Sequence, residues 1–189
     1  MTAETPGQSG FNPYAAPKSQ VDDQPVAGDA GPAFFPVSPL KLAVMSLVTL
    51  NIYQIYWFYK NWKCAKELTG EKLNAPIRAV FYPLTSYFLF KKIREHADKV
   101  HAGVSIQAGL LALAVLMLAT LWRLPDPYWL VTYLGFLPLL PVQSAVNEIN
   151  RKVAPDADTN NRFRGWNIAG LVIGGPLLVL AIVGAFLQQ

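Results

Sequence analysis

Three amide side chains recur at helical spacing near the end of an apolar stretch. Gln143, Asn147 and Asn150 follow one another at intervals of four and three residues, so a helix places them on one face. Amide groups close to a membrane span hydrogen-bond to neighbouring helices or line a wet cavity. The pattern therefore predicts either a polar groove for a solute or lipid headgroup, or hydrogen bonding between helices at the cytoplasmic end of a bundle.

A second set of candidate residues combines aromatic rings with lysines. On a continuous helix, Tyr53, Tyr56, Lys60 and Lys63 share one face. Lysines with aromatic neighbours recognise anionic lipid headgroups, although an ordinary aromatic belt at a membrane interface has the same composition. The residues predicted to contact lipid or a partner protein are Tyr53, Tyr56, Trp57, Lys60, Trp62 and Lys63.

No set of residues in the sequence offers a catalytic or metal site. His96 lies near Glu95 and Asp98, but adjacent residues on a helix point in different directions and no third ligand is evident. The single cysteine, Cys64, excludes an intramolecular disulfide and a thiolate-based zinc site. Residues 156–160 begin like a calcium loop, but the later glycine and glutamate of such a loop are missing. We therefore predict a non-enzymatic protein with no metal, no cofactor and no nucleic-acid partner.

The distribution of charge predicts which elements position these residues. The chain of 189 residues is 52% hydrophobic and only 15% charged, whereas soluble domains carry about a quarter charged residues. Several gaps without Asp, Glu, Lys or Arg are long enough for membrane helices of about 20 residues. They predict an all-α integral membrane protein with four transmembrane helices, at about residues 40–59, 104–122, 128–146 and 165–187.

Two further segments do not fit a simple span. Residues 61–100 are predicted to be interfacial: a basic amphipathic helix over 61–73, weakened or ended by Gly70, precedes an apolar stretch over 77–90 that is too short to cross. That stretch is either a re-entrant or interfacial segment, or a helix buried under the bundle. Residues 1–37 lack apolar periodicity and are rich in Pro and Gly, which predicts a disordered tail before a membrane domain at 38–188.

The sidedness of the protein follows from its basic residues, which are enriched in cytoplasmic loops. Residues 59–103 hold nine basic and four acidic residues, and residues 147–164 hold four basic and three acidic. Both loops are therefore predicted to be cytoplasmic, and the turn at 123–127 periplasmic. A full crossing by residues 40–59 places the tail outside. The alternative is a hairpin that bends near residues 49–51 and leaves the tail inside.

Two sequence stretches resemble a known family. Residues 49–62, TLNIYQIYWFYKNW, resemble the signature of a bacterial membrane family known as domain of unknown function 4234, and residues 141–150 (PVQSAVNEIN) and 160–167 (NNRFRGWN) are similar to sequences found with it. The resemblance extends over about residues 38–187. It implies an inner-membrane location, no established activity and no catalytic residues. Relatives with a zinc-ribbon module before the membrane part imply a cytoplasmic N-terminus.

These observations lead to two functional hypotheses. The first is a non-enzymatic component of the bacterial inner membrane that contacts the lipid bilayer and a membrane or cytoplasmic protein through the basic region 59–103. The second is a small transporter or channel subunit that uses the proline-kinked third span and the glycine-rich fourth span. Apart from Lys41 at the edge of the first span and tyrosines near the span ends, the spans contain no acid or base, which argues against proton coupling. Homo-oligomer formation is left open.

Overall fold

A computed structural model describes residues 31–187, and all regular structure in that range is helical. Seven α-helices follow in order: α1 (Pro39–Val48), α2 (Ile52–Thr69), α3 (Ala75–Val80), α4 (Tyr82–Lys99), α5 (Ala108–Thr120), α6 (Leu139–Val153) and α7 (Gly165–Leu187). Two 3₁₀ segments, Leu121–Arg123 and Tyr128–Phe136, lie between α5 and α6. The all-α prediction is confirmed for the described residues.

The predicted span over residues 40–59 is wrong, because two helices occupy it. Ser38 caps α1 by accepting a hydrogen bond from the backbone N–H of Lys41. The helix ends at Val48, and Leu50 and Asn51 take the left-handed conformation, with φ of 50° and 69°. Asparagine tolerates this conformation well, and it reverses the chain into α2. The structure therefore has the alternative hairpin that bends at residues 49–51.

The α1–α2 hairpin is short and packs beside α7. Phe35, just before α1, lies against Tyr56 with ring centroids 5.6 Å apart, so the two arms run antiparallel. Gly170 on α7 faces Met45, and Gly174 faces the backbone of Val48. The tip of the hairpin thus lies beside the middle of α7, rather than beyond its end.

The number of predicted spans also changes. Only two helical stretches within residues 31–187 have the length and apolar composition to cross a membrane: 128–153, and α7. The predicted span 104–122 is a shorter helix that begins at Ala108. The predicted span 128–146 is a 3₁₀ segment followed by α6, with the change at Pro138, which lacks the N–H that an α-helix requires. The structure does not support four spans.

The predicted interfacial region contains three helices. α2 ends at Thr69 with Gly70 in the left-handed cap conformation, as predicted for that glycine. α4 is amphipathic: Leu89, Phe90 and Ile93 are fully buried, while Leu84 and Phe88 on its other face are more than half exposed. The apolar stretch 77–90 therefore contributes one face to the core and leaves the other at the surface.

The last residues of the predicted tail belong to the core. Residues 1–30 lie outside the described part of the chain, whereas Ala33, Phe34, Phe35 and Val37 are all buried. The predicted boundary at residue 37 is therefore too late. Two adjacent phenylalanines carry enough apolar surface to anchor a short extended segment, although the segment is too short to show any periodicity.

Candidate functional site

Residues 34–37 lie outside any helix and run along a slot lined with amide side chains, here called the amide slot. Asn150 accepts a hydrogen bond from the N–H of Phe34 (3.0 Å) and donates one to its carbonyl (2.9 Å). The amide group of Asn147 donates to the carbonyl of Val37 (2.9 Å). The amide group of Gln143 donates to the carbonyl of Phe35 (3.3 Å). The amide side chains on this face of α6 therefore hydrogen-bond to the backbone of residues 34–37.

Two asparagines from other elements complete the amide slot. Asn61 on α2 accepts from the N–H of Phe35 (3.2 Å), and Asn160 in the loop before α7 donates to the carbonyl of Pro36 (3.1 Å). A segment outside a helix has no helical partners for its backbone groups, and burying those groups without partners is costly. The side-chain amides supply the hydrogen bonds that a neighbouring strand would otherwise provide.

The amide slot is itself supported by buried polar contacts. The indole N–H of Trp57 donates to the amide oxygen of Gln143 at 2.5 Å, and both side chains are fully buried. The Lys41 ammonium is only 2% exposed and donates to the backbone carbonyls of Asn160 (3.3 Å) and Arg162 (2.8 Å) and to the Asn160 side chain (2.9 Å). This lysine ties the start of α1 to the loop before α7.

Sequence reasoning missed Lys41, Asn61 and Asn160. Lys41 marks only the edge of a charge gap in the sequence, and Asn61 stands among aromatic residues. A polar residue inside an apolar or aromatic run is a signal for a buried hydrogen bond. It does not reveal the partner, because the two bonded residues lie far apart in the sequence: Asn160 and Pro36 are separated by 124 positions.

The six residues predicted to contact lipid or a partner divide into two groups. Trp57 and Trp62 have no exposed surface and Tyr53 only 9%, so these three are core residues and that part of the prediction is wrong. Tyr56 is 45% exposed, and the side chain of Lys63 is 56% exposed. Lys60 lies over the Phe35 ring at 5.6 Å from its centroid. An aromatic run covers all sides of a helix, and only one side can face the core. In α2 the tryptophans lie on the buried side and Tyr56 lies on the exposed side.

Burial shifts the pKa of two side chains, His96 and Cys64. Burial, with a smaller contribution from Lys99, lowers the pKa of His96, whose Nε2 is buried without a hydrogen-bond partner. Its ring contacts Phe34 edge to face, with centroids 5.6 Å apart. Burial raises the pKa of the Cys64 thiol, which leaves it a poor nucleophile at neutral pH. No group of three or more His, Cys, Asp or Glu able to hold a metal ion occurs within 31–187.

Together these features define a helical protein in which side-chain amides hold residues 34–37 and two helical stretches are suited to crossing a membrane. Residues 37–126 match the sequence model of the family described as "Domain of unknown function (DUF4234)". This match confirms the resemblance that residues 49–62 showed to that family. The match includes α1 to α5 and ends before α6, so it does not extend to residue 187. No curated protein and no solved structure matches the chain.

Proposed function

We propose that the chain is a multi-pass protein of a bacterial inner membrane, and that it acts without catalysis, through contacts with lipid and with a protein partner. The observation that carries the membrane assignment is the exposure of α7. Only 11% of its most apolar 18-residue stretch is buried against the rest of the chain. Water would solvate so large an apolar surface poorly, whereas the hydrocarbon of a bilayer solvates it well.

The proposed topology has three crossings and one re-entrant hairpin. The crossings lie within residues 128–153 and 165–187, the two stretches long and apolar enough to cross, and within the shorter apolar helix at 108–123. The α1–α2 hairpin enters from one side and turns back beside the middle of α7, where Gly174 meets Val48. The backbone at its bend is half-buried, and the Asn51 side chain donates to the carbonyl of Thr132 (2.9 Å). Non-helical backbone at membrane depth is tolerated when it is covered in this way.

The hairpin puts residues 34–37 on the same side as both basic loops. Phe34 contacts Asn150 and His96, and Phe35 contacts Asn61. Because loops 59–103 and 147–164 hold the excess of Lys and Arg, this side is the cytoplasmic one in the proposal. A cytoplasmic N-terminal segment agrees with the implication of the family resemblance, and it replaces the external tail that a full crossing by residues 40–59 requires.

The contact role rests on the surface of the 59–103 region and the adjoining Tyr56. That surface combines exposed aromatic and apolar side chains with basic ones: Tyr56, Tyr59, Lys63, Lys66, Phe81 and Phe88 are all at least one-third exposed. Aromatic rings with lysines suit the boundary between hydrocarbon and headgroups. The amides that a solute groove would need are already bonded to residues 34–37, which favours a contact role over solute binding.

One observation favours the alternative of a transporter or channel subunit. Broken helices near the bilayer midplane form substrate sites in many transporters, and the bend at 49–51 is such a break. Gln54 beside it is 1% exposed, and its Oε1 has no hydrogen-bond partner. However, the glycines of α7 that this alternative assigns to a pore pack against α1 at Gly170 and Gly174.

The topology is tested with single cysteines in a Cys64→Ala background. Gly31→Cys, Arg94→Cys and Leu124→Cys each change an exposed position, and a side chain at Gly31 meets no atom within 4 Å. An impermeant thiol reagent should label position 124 in intact spheroplasts, and positions 31 and 94 only after lysis. Labelling at position 31 before lysis would show that residues 40–59 cross the membrane fully and would contradict the hairpin. Release of the protein by alkaline carbonate would refute the membrane assignment.

A further inference from the structure

A groove between α2 and α3 has an apolar part and a basic part that join end to end. The apolar part has a volume of about 350 Å³ and includes Ile52, Ile55 and Val80. The basic part has a volume of about 510 Å³ and includes Lys63, Lys66 and Lys72. Tyr59 and Pro76 line both parts, so the two form one continuous surface, here called the α2–α3 groove.

We propose that the α2–α3 groove binds one anionic phospholipid from the cytoplasmic leaflet, with an acyl chain in the apolar part and the phosphate on the three lysines. The proposal deepens the contact role above and rests on the membrane location proposed there. Its basis is the match between the charge and polarity of the two parts and the two chemically different ends of a phospholipid.

The length of the groove fits a lipid in one leaflet. Ile52 begins α2 at the bend of the hairpin, and Lys63 lies three turns further on. At about 1.5 Å per residue the two are roughly 16 Å apart along the helix. Half of a hydrocarbon core of about 30 Å has nearly the same length. An acyl chain that starts at the level of Lys63 therefore ends near the bend.

The lysines are available for a phosphate. Within residues 31–187, Lys66 and Lys72 form no ion pair, and Lys63 has only a loose one, 3.9 Å from Glu67. Lysine binds phosphate as a compact point charge with three donors. The apolar wall is equally open: Ile52 is 67% exposed and Val80 is 59% exposed. A lipid would therefore cover apolar surface and neutralise charge at the same time.

The experiment compares lipid retention by the full-length protein in mild detergent, measured by native mass spectrometry after addition of phosphatidylglycerol or phosphatidylcholine. One variant combines Lys63→Gln, Lys66→Gln and Lys72→Gln. A second, Val80→Trp, narrows the apolar part and keeps the lysines. The matched control combines Lys91→Gln, Arg94→Gln and Lys99→Gln on α4, which removes the same charge outside the groove. All changed positions are solvent-exposed, so thermal midpoints should stay close to that of the parent protein.

The parent protein should retain phosphatidylglycerol in preference to phosphatidylcholine. The groove-lysine variant should bind phosphatidylglycerol at least about tenfold more weakly, since each basic residue near an anionic headgroup contributes several-fold. Val80→Trp should also bind it more weakly, and the α4 control should resemble the parent. Equal losses in the control and groove variants, unchanged retention in Val80→Trp, or equal retention of both lipids would each overturn the proposal. The cysteine-labelling pattern would be unaffected by such a failure, so the two proposals can fail separately.

Discussion

The side chain of Asn150 on α6 binds both backbone polar groups of Phe34, which precedes it by 116 residues. Its Oδ1 accepts from the Phe34 N–H at 3.0 Å, and its Nδ2 donates to the Phe34 carbonyl at 2.9 Å. This is the pairing that a residue in a neighbouring strand would make, formed here by one amide. This pair of hydrogen bonds attaches the segment before α1 to α6.

Asn150→Ala should release the segment at residues 34–37. The substitution leaves two buried backbone groups without partners, and each such group costs about 1–3 kcal/mol. We expect a lower thermal midpoint in detergent and new chymotrypsin cleavage after Phe34, which is 1% exposed in the native protein. The control is Ser144→Ala on the same helix, where an exposed hydroxyl donates only to the carbonyl of Leu140. Unchanged protection of Phe34 in Asn150→Ala would contradict this role.

Periodicity in the sequence predicts α7 and the amide face well, since both depend on local spacing. α7 occupies residues 165–187, as the charge gap predicted. Gln143, Asn147 and Asn150 share a face of α6 and all reach the same segment. Helical spacing fixes the direction of a side chain relative to its neighbours. It carries no information about which distant segment lies opposite.

The hairpin and the burial of the tryptophans depend on contacts that spacing does not reveal. Residues 42–59 carry no charge, and the sequence contains no proline or glycine at the bend. The reversal depends on Asn51, whose left-handed backbone is held by a hydrogen bond to Thr132. Likewise, an aromatic run suits both a membrane interface and a core. Only the packing of α2 against α3 and α4, together with the hydrogen bond from Trp57 to Gln143 on α6, assigns Trp57 and Trp62 to the core.

Gly174→Ala should separate α7 from the hairpin. A Cβ at position 174 would lie 1.8 Å from the carbonyl oxygen of Val48, so the backbones would have to move apart. Overpacking of this kind costs about 1–3 kcal/mol. The neighbouring substitution Gly175→Ala is the control, because a Cβ there meets nothing within 4 Å. Thermal unfolding in the same detergent should show a loss for Gly174→Ala and none for Gly175→Ala. Equal midpoints would show that α7 does not pack on α1 at this glycine.

The two buried tryptophans should respond differently to replacement by phenylalanine. Trp57→Phe removes the donor to Gln143 and leaves a buried amide oxygen unsatisfied, at a cost of about 1–3 kcal/mol. Trp62→Phe removes an indole N–H that has no partner. It keeps an aromatic ring beneath the Arg78 guanidinium, which in the native protein lies 4.6 Å from the centroid of the Trp62 ring. Trp57→Phe should therefore have the lower thermal midpoint of the two. If Trp62→Phe is the less stable variant, the hydrogen bond between Trp57 and Gln143 is not the main difference.

Attachment of the N-terminal segment should weaken as the pH falls below about 6.5, the usual pKa of histidine. The pKa of His96 is lowered in the folded protein by burial and by Lys99, so the unfolded state binds more protons as the pH drops through this range. The stability contribution of neutral His96 is therefore complete above about pH 6.5 and is lost progressively below it. Protonation would also place a charged Nε2–H, which lacks a partner, beside the Phe34 ring.

Chymotrypsin cleavage after Phe34 and the thermal midpoint, both measured between pH 7.5 and 5.5, test this prediction. The charged groups around His96 are Lys92, Glu95 and Lys99 on α4, with Glu71 paired to Lys92 at 2.5 Å. His96→Phe keeps an aromatic ring against Phe34 and removes the titrating group, so its cleavage should depend much less on pH. If His96→Phe and the parent protein lose protection in parallel on acidification, another group controls the attachment.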